Sequence, residues 1–480
     1  MKSVRWLLLG LLLPGCAVGP DYVRPDVAVP SFWSETQTLK AVSSKTYAQW
    51  WQTFDDPVLD RLMRDAIAAN LDLQQAEARI REARTQRVQT IAAGLPTLSA
   101  GANLNRRRNA LSFSPSASGF GTGGFGIGQQ IIDIFQMGFD AQWEVDLFGG
   151  VRRALEVAEA NIEVQEENRR DILVTLLAEV ARNYIDIRNA QQLIEVTRSN
   201  ASSQQETLEL VRARRQGGLT SELEVAQADA QVAATSAELP VLDTSKKQAV
   251  HALSILLGRE PGALLSRFEA SRPIPAAVNP APADLPSELL RRRPDVRRTE
   301  RQLAAASAEI GVATAELYPK VNLAAFLGLQ NSRITDFTPI GKSWSMASSL
   351  SMPIFNWGKL QANIKAKKAL YEQSFFAYRT TILTAFKEVE DALAAYANEQ
   401  ERRRSLARNV EASRLAVDLA KERYFKGLTS FLDVLTAEKA LYQAQSDFLA
   451  SEAESALQLV ALYKALGGGW QQDPVTENRF

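Results

Sequence analysis

The sequence predicts an α+β membrane protein built twice over, with four spanning strands and two hairpins of very long helices. Three observations carry this: a duplicated glycine turn, two long stretches lacking Gly and Pro, and runs of strict two-residue alternation. Gly218-Leu-Thr-Ser-Glu-Leu-Glu-Val225 returns as Gly427-Leu-Thr-Ser-Phe-Leu-Asp-Val434. Self-similarity at so long a period sets the architecture before any local reading. Asn70-Leu-Asp-Leu to Leu95-Pro96 runs parallel to Arg293-Pro-Asp-Val to Tyr318-Pro319, with Asp72 over Asp295 and Glu77 over Glu300. Asp146-Leu-Phe148 matches Pro353-Ile-Phe355, and the first copy is longer by the Gly/Ser-rich segment Ser112 to Gly128. The copies are placed at residues 61–268 and 285–467, with a tail at 468–480.

The chain opens with Lys2 and Arg5, then an apolar run from Trp6 to Leu13. That run is too short to span a bilayer and has the layout of a secretory signal, so residues 1–15 are set apart from the fold. Leu13-Pro-Gly-Cys16 looks like a bacterial lipoprotein cleavage box, with Pro14 where a small or aliphatic residue is usual. Cys16 is expected to carry a covalent lipid, the alternative being a buried free cysteine. Ala17, not aspartate, follows it, which by analogy with such lipoproteins favours the outer membrane. Residues 16–60 form the lipid-anchored segment.

The 480 residues hold 55 Lys plus Arg against 55 Asp plus Glu, so no bulk field points toward nucleic acid. One histidine, His251, and one cysteine leave no disulfide within the chain and little for metal sites or acid–base chemistry. No cofactor is expected beyond the lipid, and a nucleophile, base and acid cannot be assembled around a lone histidine, which speaks against an envelope hydrolase.

Taken in order, each copy reads helix, strand, loop, strand, long helix, return helix. Short helices are expected near Leu71 to Ala93 and Pro294 to Leu317. Between them and the long helices the period changes to two: Phe135, Met137, Phe139, Ala141, Trp143, Val145 and Leu147 alternate with polar residues or glycine. Weaker alternation marks Leu98 to Leu104, Val321 to Leu329 and Trp344 to Met352. Val151 to Gln216 and Lys359 to Lys426 contain no Gly or Pro, and each could form a helix of roughly 100 Å. Phe375, Tyr378, Ile382, Phe386, Val389, Leu393 and Tyr396 recur at three and four, the stripe of a helix packed lengthwise on others. Each long helix stops at glycine. Return helices follow over Leu219 to Leu257, with a kink expected at Pro240, and over Leu428 to Leu466.

Strands of this length cross an outer membrane, whose apolar band is about 25 Å tall. Within lipid a sheet cannot keep open edges, because each unpaired backbone group costs several kcal/mol. Four strands cannot close on themselves. Two chains would supply about eight strands, whose interior side chains fill, whereas three supply about twelve and leave a pore. A homotrimer is the smallest assembly compatible with closure and conduction.

At this point the residues resemble the TolC-like outer membrane factors, most closely the lipidated efflux branch related to OprM and of NodT type. The resemblance rests on Cys16-Ala-Val-Gly-Pro-Asp-Tyr22 with Arg24-Pro25, Leu285-Pro-Ser-Glu-Leu-Leu-Arg-Arg-Arg-Pro-Asp295, Pro353-Ile-Phe355, both Gly-Leu-Thr-Ser turns and Leu466-Gly-Gly-Gly-Trp470. It implies a trimeric 12-stranded β-barrel, four strands per chain, continued by an α-helical coiled-coil tunnel in the periplasm. It also implies docking to a periplasmic adaptor and an inner-membrane pump, commonly of the resistance-nodulation-division type, for export of drugs or other small molecules.

By the same resemblance the docking tip is Gly217, Gly218, Leu219, Thr220 and Ser221 with Gly427, Leu428, Thr429 and Ser430. A periplasmic gate falls on Asp433, Tyr424 and Glu224. Thr436 stands where many relatives carry a second aspartate, and Thr429 where the prototype carries a basic residue. A second reading stands beside the gate: Ser430-x-x-Asp433 and Ser221-x-x-Glu224 are helix capping patterns. On the strand from Phe135 to Leu147 the apolar set is expected to face lipid, while Asp140, Glu144 and Asp146 line an acidic pore, the alternative being a soluble sheet. Trp143 and Trp344 read as interfacial anchors or as core.

Gly119-x-Gly-x-x-Gly124 lies in the insertion and opens no helix, Gly341-Lys-Ser343 lacks the upstream glycine of a phosphate loop, and Arg291-Arg-Arg293 reads as a solvated structural segment between a Ser287 cap and Pro294. A passive outer-membrane export duct leads. A non-conducting coiled-coil tether and a duct for protein secretion are the competing functions.

Overall fold

The computed structural model describes residues 17–31, 33–34, 48–109, 130–276, 288, 291–332 and 342–470. Cys16, the signal segment, the Ser112 to Gly128 insertion and Ser287 lie outside the described residues.

The described helices are α1 (Pro57–Ala69), α2 (Leu71–Ala93), α3 (Gly150–Gln216), α4 (Glu222–Leu256), α5 (Pro294–Ala315), α6 (Lys359–Phe425) and α7 (Phe431–Ala465). The strands are β1 (Thr97–Asn109), β2 (Gln130–Val145), β3 (Lys320–Asn331) and β4 (Lys342–Ser351). Both long helices, α3 and α6, have 67 residues and both return helices, α4 and α7, have 35, so the duplication is symmetrical in length. The return helices begin three residues later than expected, because Leu-Thr-Ser stays in the turn. α4 runs through Pro240.

The chain forms two compact units, and each draws segments from both copies. One unit, residues 1–24, 82–162 and 302–375, holds the sheet. It is an antiparallel meander in the order β1-β2-β3-β4, so β2–β3 pairing joins the copies and β1 and β4 are the edges. β2 is longer than the alternation suggested, beginning at Gln130, and it ends at Val145. Leu147 and Met352 therefore lie beyond the strands.

Register sets a two-faced sheet. Leu98, Ala141, Ala325 and Met346 share one row, and Ala100, Phe139, Leu327 and Trp344 the next, all on one face. Trp344 and Met346 are 73% and 81% exposed on it. The opposite face is small and polar: Ser99, Asp140 and Ser345 share a row with Phe326, and Gly138 faces Gly328. That glycine pair is steric in origin, since a Cβ on Gly328 would lie 2.3 Å from the Met137 carbonyl oxygen. Phe326 covers both glycines.

At the helical end of the sheet, Phe148 stacks on Tyr318 at 4.7 Å, and the Trp143 indole N–H donates to the Gly94 carbonyl at 2.9 Å. Arg153, buried, gathers the residues after Cys16: it donates to the Val18 carbonyl at 3.1 Å and to Asp21 at 2.7 Å. Gly19, at φ +95°, comes so close to Gly311 that a Cβ would meet its Cα at 2.4 Å.

The second unit, residues 25–81, 163–301 and 376–480, has its own core. Trp50 stacks on Tyr463 at 5.3 Å, and Leu59, Leu62 and Met63 of α1 are fully buried. Asp56 caps α1 by accepting from the Val58 N–H at 2.7 Å, while its other oxygen accepts from the Tyr184 hydroxyl. Burial and that carboxylate push the Tyr184 phenol up to about 12. Arg293 corrects the reading of its segment as solvated: it is 7% exposed and is held by Asp295 at 2.6 Å, Glu388 at 2.7 Å and the Ala465 carbonyl at 2.9 Å. The cause is position, for Arg293 precedes α5 and packs under Gly467, where chain reversal after α7 exposes the last carbonyls.

Candidate functional site

Both long helices stop in the same way. After α3 the Leu219 N–H reaches back to the Arg214 carbonyl at 2.9 Å and the Gly218 N–H to Arg215 at 3.0 Å; after α6 Leu428 bonds to Arg423 at 2.9 Å and Gly427 to Tyr424 at 3.0 Å. This double return is the glycine-dependent helix stop, with φ of +74° at Gly218 and +71° at Gly427. No atom lies within 4 Å of a Cβ built on either glycine, so conformation rather than space demands them. Thr220 and Ser221, like Thr429 and Ser430, lead into the return helices. Leu219 and Leu223 of the first turn, and Leu428 and Leu432 of the second, are all exposed. Each turn thus presents an apolar pair, of which Leu223 and Leu432 escaped the sequence reading although they recur at equivalent positions.

Behind the turns the four long helices share a small core of Leu208, Val211, Ala228, Tyr424, Phe431 and Val434. Tyr424 is buried in it, with the Phe431 ring at 5.5 Å and the Arg214 guanidinium over its own ring at 4.8 Å. Its hydroxyl donates to Glu224 at 2.8 Å, which ties α6 of the second copy to α4 of the first. Glu224 also accepts from the Thr220 hydroxyl. Burial first, and the Glu224 hydrogen bond second, raise the Tyr424 pKa above its ordinary value, so the phenol stays a donor. Alongside, buried Glu438 accepts from Thr207 at 3.2 Å and pairs with Lys421 at 2.8 Å. No sequence signal singled out Glu438, because its partners come from two other helices.

The two capping patterns part company. Asp433 caps: it accepts from the Ser430 N–H and hydroxyl, each at 3.2 Å, and from the Thr429 hydroxyl. The Thr429 and Ser430 hydrogen bonds hold its carboxyl below the usual carboxylate range, although it is fully open to solvent. The Ser221 cap expected in the first copy is not formed, since Ser221 makes no side-chain cap hydrogen bond and Glu224 turns to Thr220 and Tyr424 instead. The longer glutamate reaches the buried hydroxyl and is drawn off the helix terminus. Of the three gate candidates the fold joins Tyr424 and Glu224, while Asp433 is engaged in its own turn.

On the sheet, Asp140 and Glu144 lie on the polar face. Asp146 corrects its expectation as a strand-borne acid: it sits past the end of β2, where it accepts from the Arg152 N–H at 3.1 Å and pairs with the Arg152 guanidinium at 3.4 Å. Free N–H groups at the start of α3 attract it there. Glu144 pairs with Lys320 at 3.4 Å. Asp140 has no cation in its row, so two of the three expected acids remain on the polar face, one of them ion-paired.

One chain thus combines a sheet with an exposed apolar face and two 67-residue helices. The profile of the outer membrane efflux protein family matches residues 62–259 and 285–468. The chain belongs to this family. It is 33% identical over 474 residues to the pyoverdine export outer membrane protein OpmQ of Pseudomonas aeruginosa, covering 98% of each chain. It is 33% identical over 477 residues to the solvent efflux pump outer membrane protein SrpC of Pseudomonas putida, again covering 98% of each. The outer-membrane channel OprN superposes with a TM-score of 0.87 at 35% identity, over 95% of this chain and 100% of that one. This outer membrane efflux protein thus has the TolC-like fold of the OprM- and NodT-type outer membrane factors, and functions in efflux at the outer membrane.

Proposed function

We propose that three copies of this efflux protein close their sheets into one 12-stranded barrel, continued by the paired long helices as a periplasmic tunnel, and passively conduct small molecules received from a periplasmic adaptor and an inner-membrane pump. The observation that carries the reading is the sheet: its exposed apolar face needs lipid, and its open β1 and β4 edges need partners. Cys16 carries the lipid anchor. The Gly217–Ser221 and Gly427–Ser430 turns, with their exposed leucines, dock the adaptor. Tyr424 and Glu224 latch the hairpins in the closed state, with Asp433 a threefold carboxylate ring beside them. Asp140 and Glu144 line the pore.

Relatives equally similar to this chain are named for different cargoes, pyoverdine and solvents. Cargo choice therefore belongs to the pump, whose resistance-nodulation-division type is the expected one. The purified protein should be a trimer that conducts ions in planar bilayers, and its deletion should sensitise cells to toxic small molecules. A monomeric, non-conducting lipoprotein would support the tether instead. A conducting trimer whose loss changes no sensitivity would remove efflux of toxic compounds and retain the channel.

A further inference from the structure

Three consecutive arginines, Arg106, Arg107 and Arg108, stand near the end of β1. Side chains alternate faces along a strand, so Arg106 and Arg108 continue the apolar row of Leu98, Ala100, Ala102 and Leu104, whereas Arg107 continues the polar row of Ser99, Gly101, Asn103 and Asn105. Register carries the division into β2, where Leu104 faces Phe135, Arg106 faces Asp133 and Arg108 faces Ile131. Along β1 the apolar row therefore stops at Leu104 and gives way to cations, while on β2 the exposed Ile131 stays apolar beside Arg108. Arg106 pairs with Asp133 at 3.4 Å yet keeps 69% of its side chain exposed. Lys342 opens β4 on the same face, opposite Leu329. Among the described residues, this end of the face thus carries two arginines and a lysine with one aspartate, Asp133. All lie at the end of the sheet away from the helices, since α2 leads into Thr97 and β2 leads into α3.

Cations that follow directly on a lipid-facing surface meet the phosphate zone of the leaflet. A guanidinium offers phosphate a two-pronged fork of donors, and clustered cations at a membrane surface draw anionic headgroups. We propose that Arg106 and Arg108, joined by Lys342, form a binding site for the phosphate groups of a phosphorylated glycolipid in the outer leaflet. The site rests on the reading that the sheet spans the outer membrane. In a closed ring β4 of one chain would lie beside β1 of the next, bringing Lys342 toward the arginines of its neighbour and making the site a seam between subunits.

The test uses the full chain in detergent, titrated with bis-phosphorylated lipid A, its dephosphorylated form and inorganic phosphate, with bound lipid read by native mass spectrometry. The phosphorylated lipid should bind best, and R106Q/R108Q should weaken it about thirtyfold, in keeping with the pull of two cations on anionic lipid. R107Q, which removes the same charge from the other face, should bind as the parent does. Equal binding of the dephosphorylated lipid, equal loss in R107Q, or full competition by inorganic phosphate would each overturn the site. Planar-bilayer conductance of the same preparations reads the spanning sheet separately, so a conducting trimer that ignores lipid phosphate defeats this inference alone. Should R106Q/R108Q fail to assemble, R108Q alone carries the comparison with R107Q.

Discussion

At the scale of single residues, equivalent positions of the two copies do opposite work. Arg215 and Glu222 form an exposed ion pair at 3.3 Å in the first turn, whereas their counterparts Tyr424 and Phe431 are a buried ring pair at 5.5 Å in the second. The aromatic pair makes the second hairpin an anchor for the first, and the Tyr424 hydroxyl adds a directed bond across to Glu224. Tyr424→Phe should cost about 1 kcal/mol of stability, visible as a small fall in Tm, and should raise the open fraction in single-channel records. Asp433→Ala should likewise raise conductance; an unchanged closed state would leave Asp433 a cap only. The cap is also pH-dependent. With its folded pKa lowered, Asp433 contributes stability above the unfolded value, and that stability is lost as pH falls through the folded one. Amide exchange at Ser430 and Phe431 should therefore quicken only below the ordinary carboxylate range, and insensitivity there would refute the assignment.

Elements owe their ends to glycine for two different physical reasons. Gly218 and Gly427 stand in open space, so valine at either adds about 1–2 kcal/mol of backbone strain without a clash. Thermal unfolding should register that loss with the trimer intact. Gly328 has an ordinary φ but no room, its would-be Cβ falling against the Met137 oxygen and Gly138 Cα. Gly328→Val should separate β2 from β3 and abolish assembly, seen as loss of the trimer band on a native gel. Pairing of β2 with β3 also depends on both copies at once, and for that reason neither repeat contains a complete sheet.

For the whole molecule, the polar face carries Asp140 and Glu144 against Lys320 and Arg107, so charge is nearly balanced among the described strand residues. The pore should accordingly show almost no ion preference, and Asp140→Asn and Glu144→Gln should each shift it toward anions in reversal-potential measurements. Strong cation selectivity that survives Asp140→Asn would place the selecting charge elsewhere.

The chain by itself settled the periodic features: the two long helices, the two glycine stops, the four strands and their apolar rows, because period and breaker residues are local properties. It also held the family motifs. What tertiary structure decided are the choices a side chain makes between partners distant in sequence. Glu224 and Asp433 occupy equivalent capping positions, yet one leaves its cap for a hydroxyl brought by another helix and the other stays. Asp146 leaves the strand pattern for helix N–H groups, Arg293 is buried by the return of α7, and Lys320 reaches Glu144 across a strand pair that joins the two copies. Competition of that kind is resolved by burial and proximity, and neither can be read along the chain.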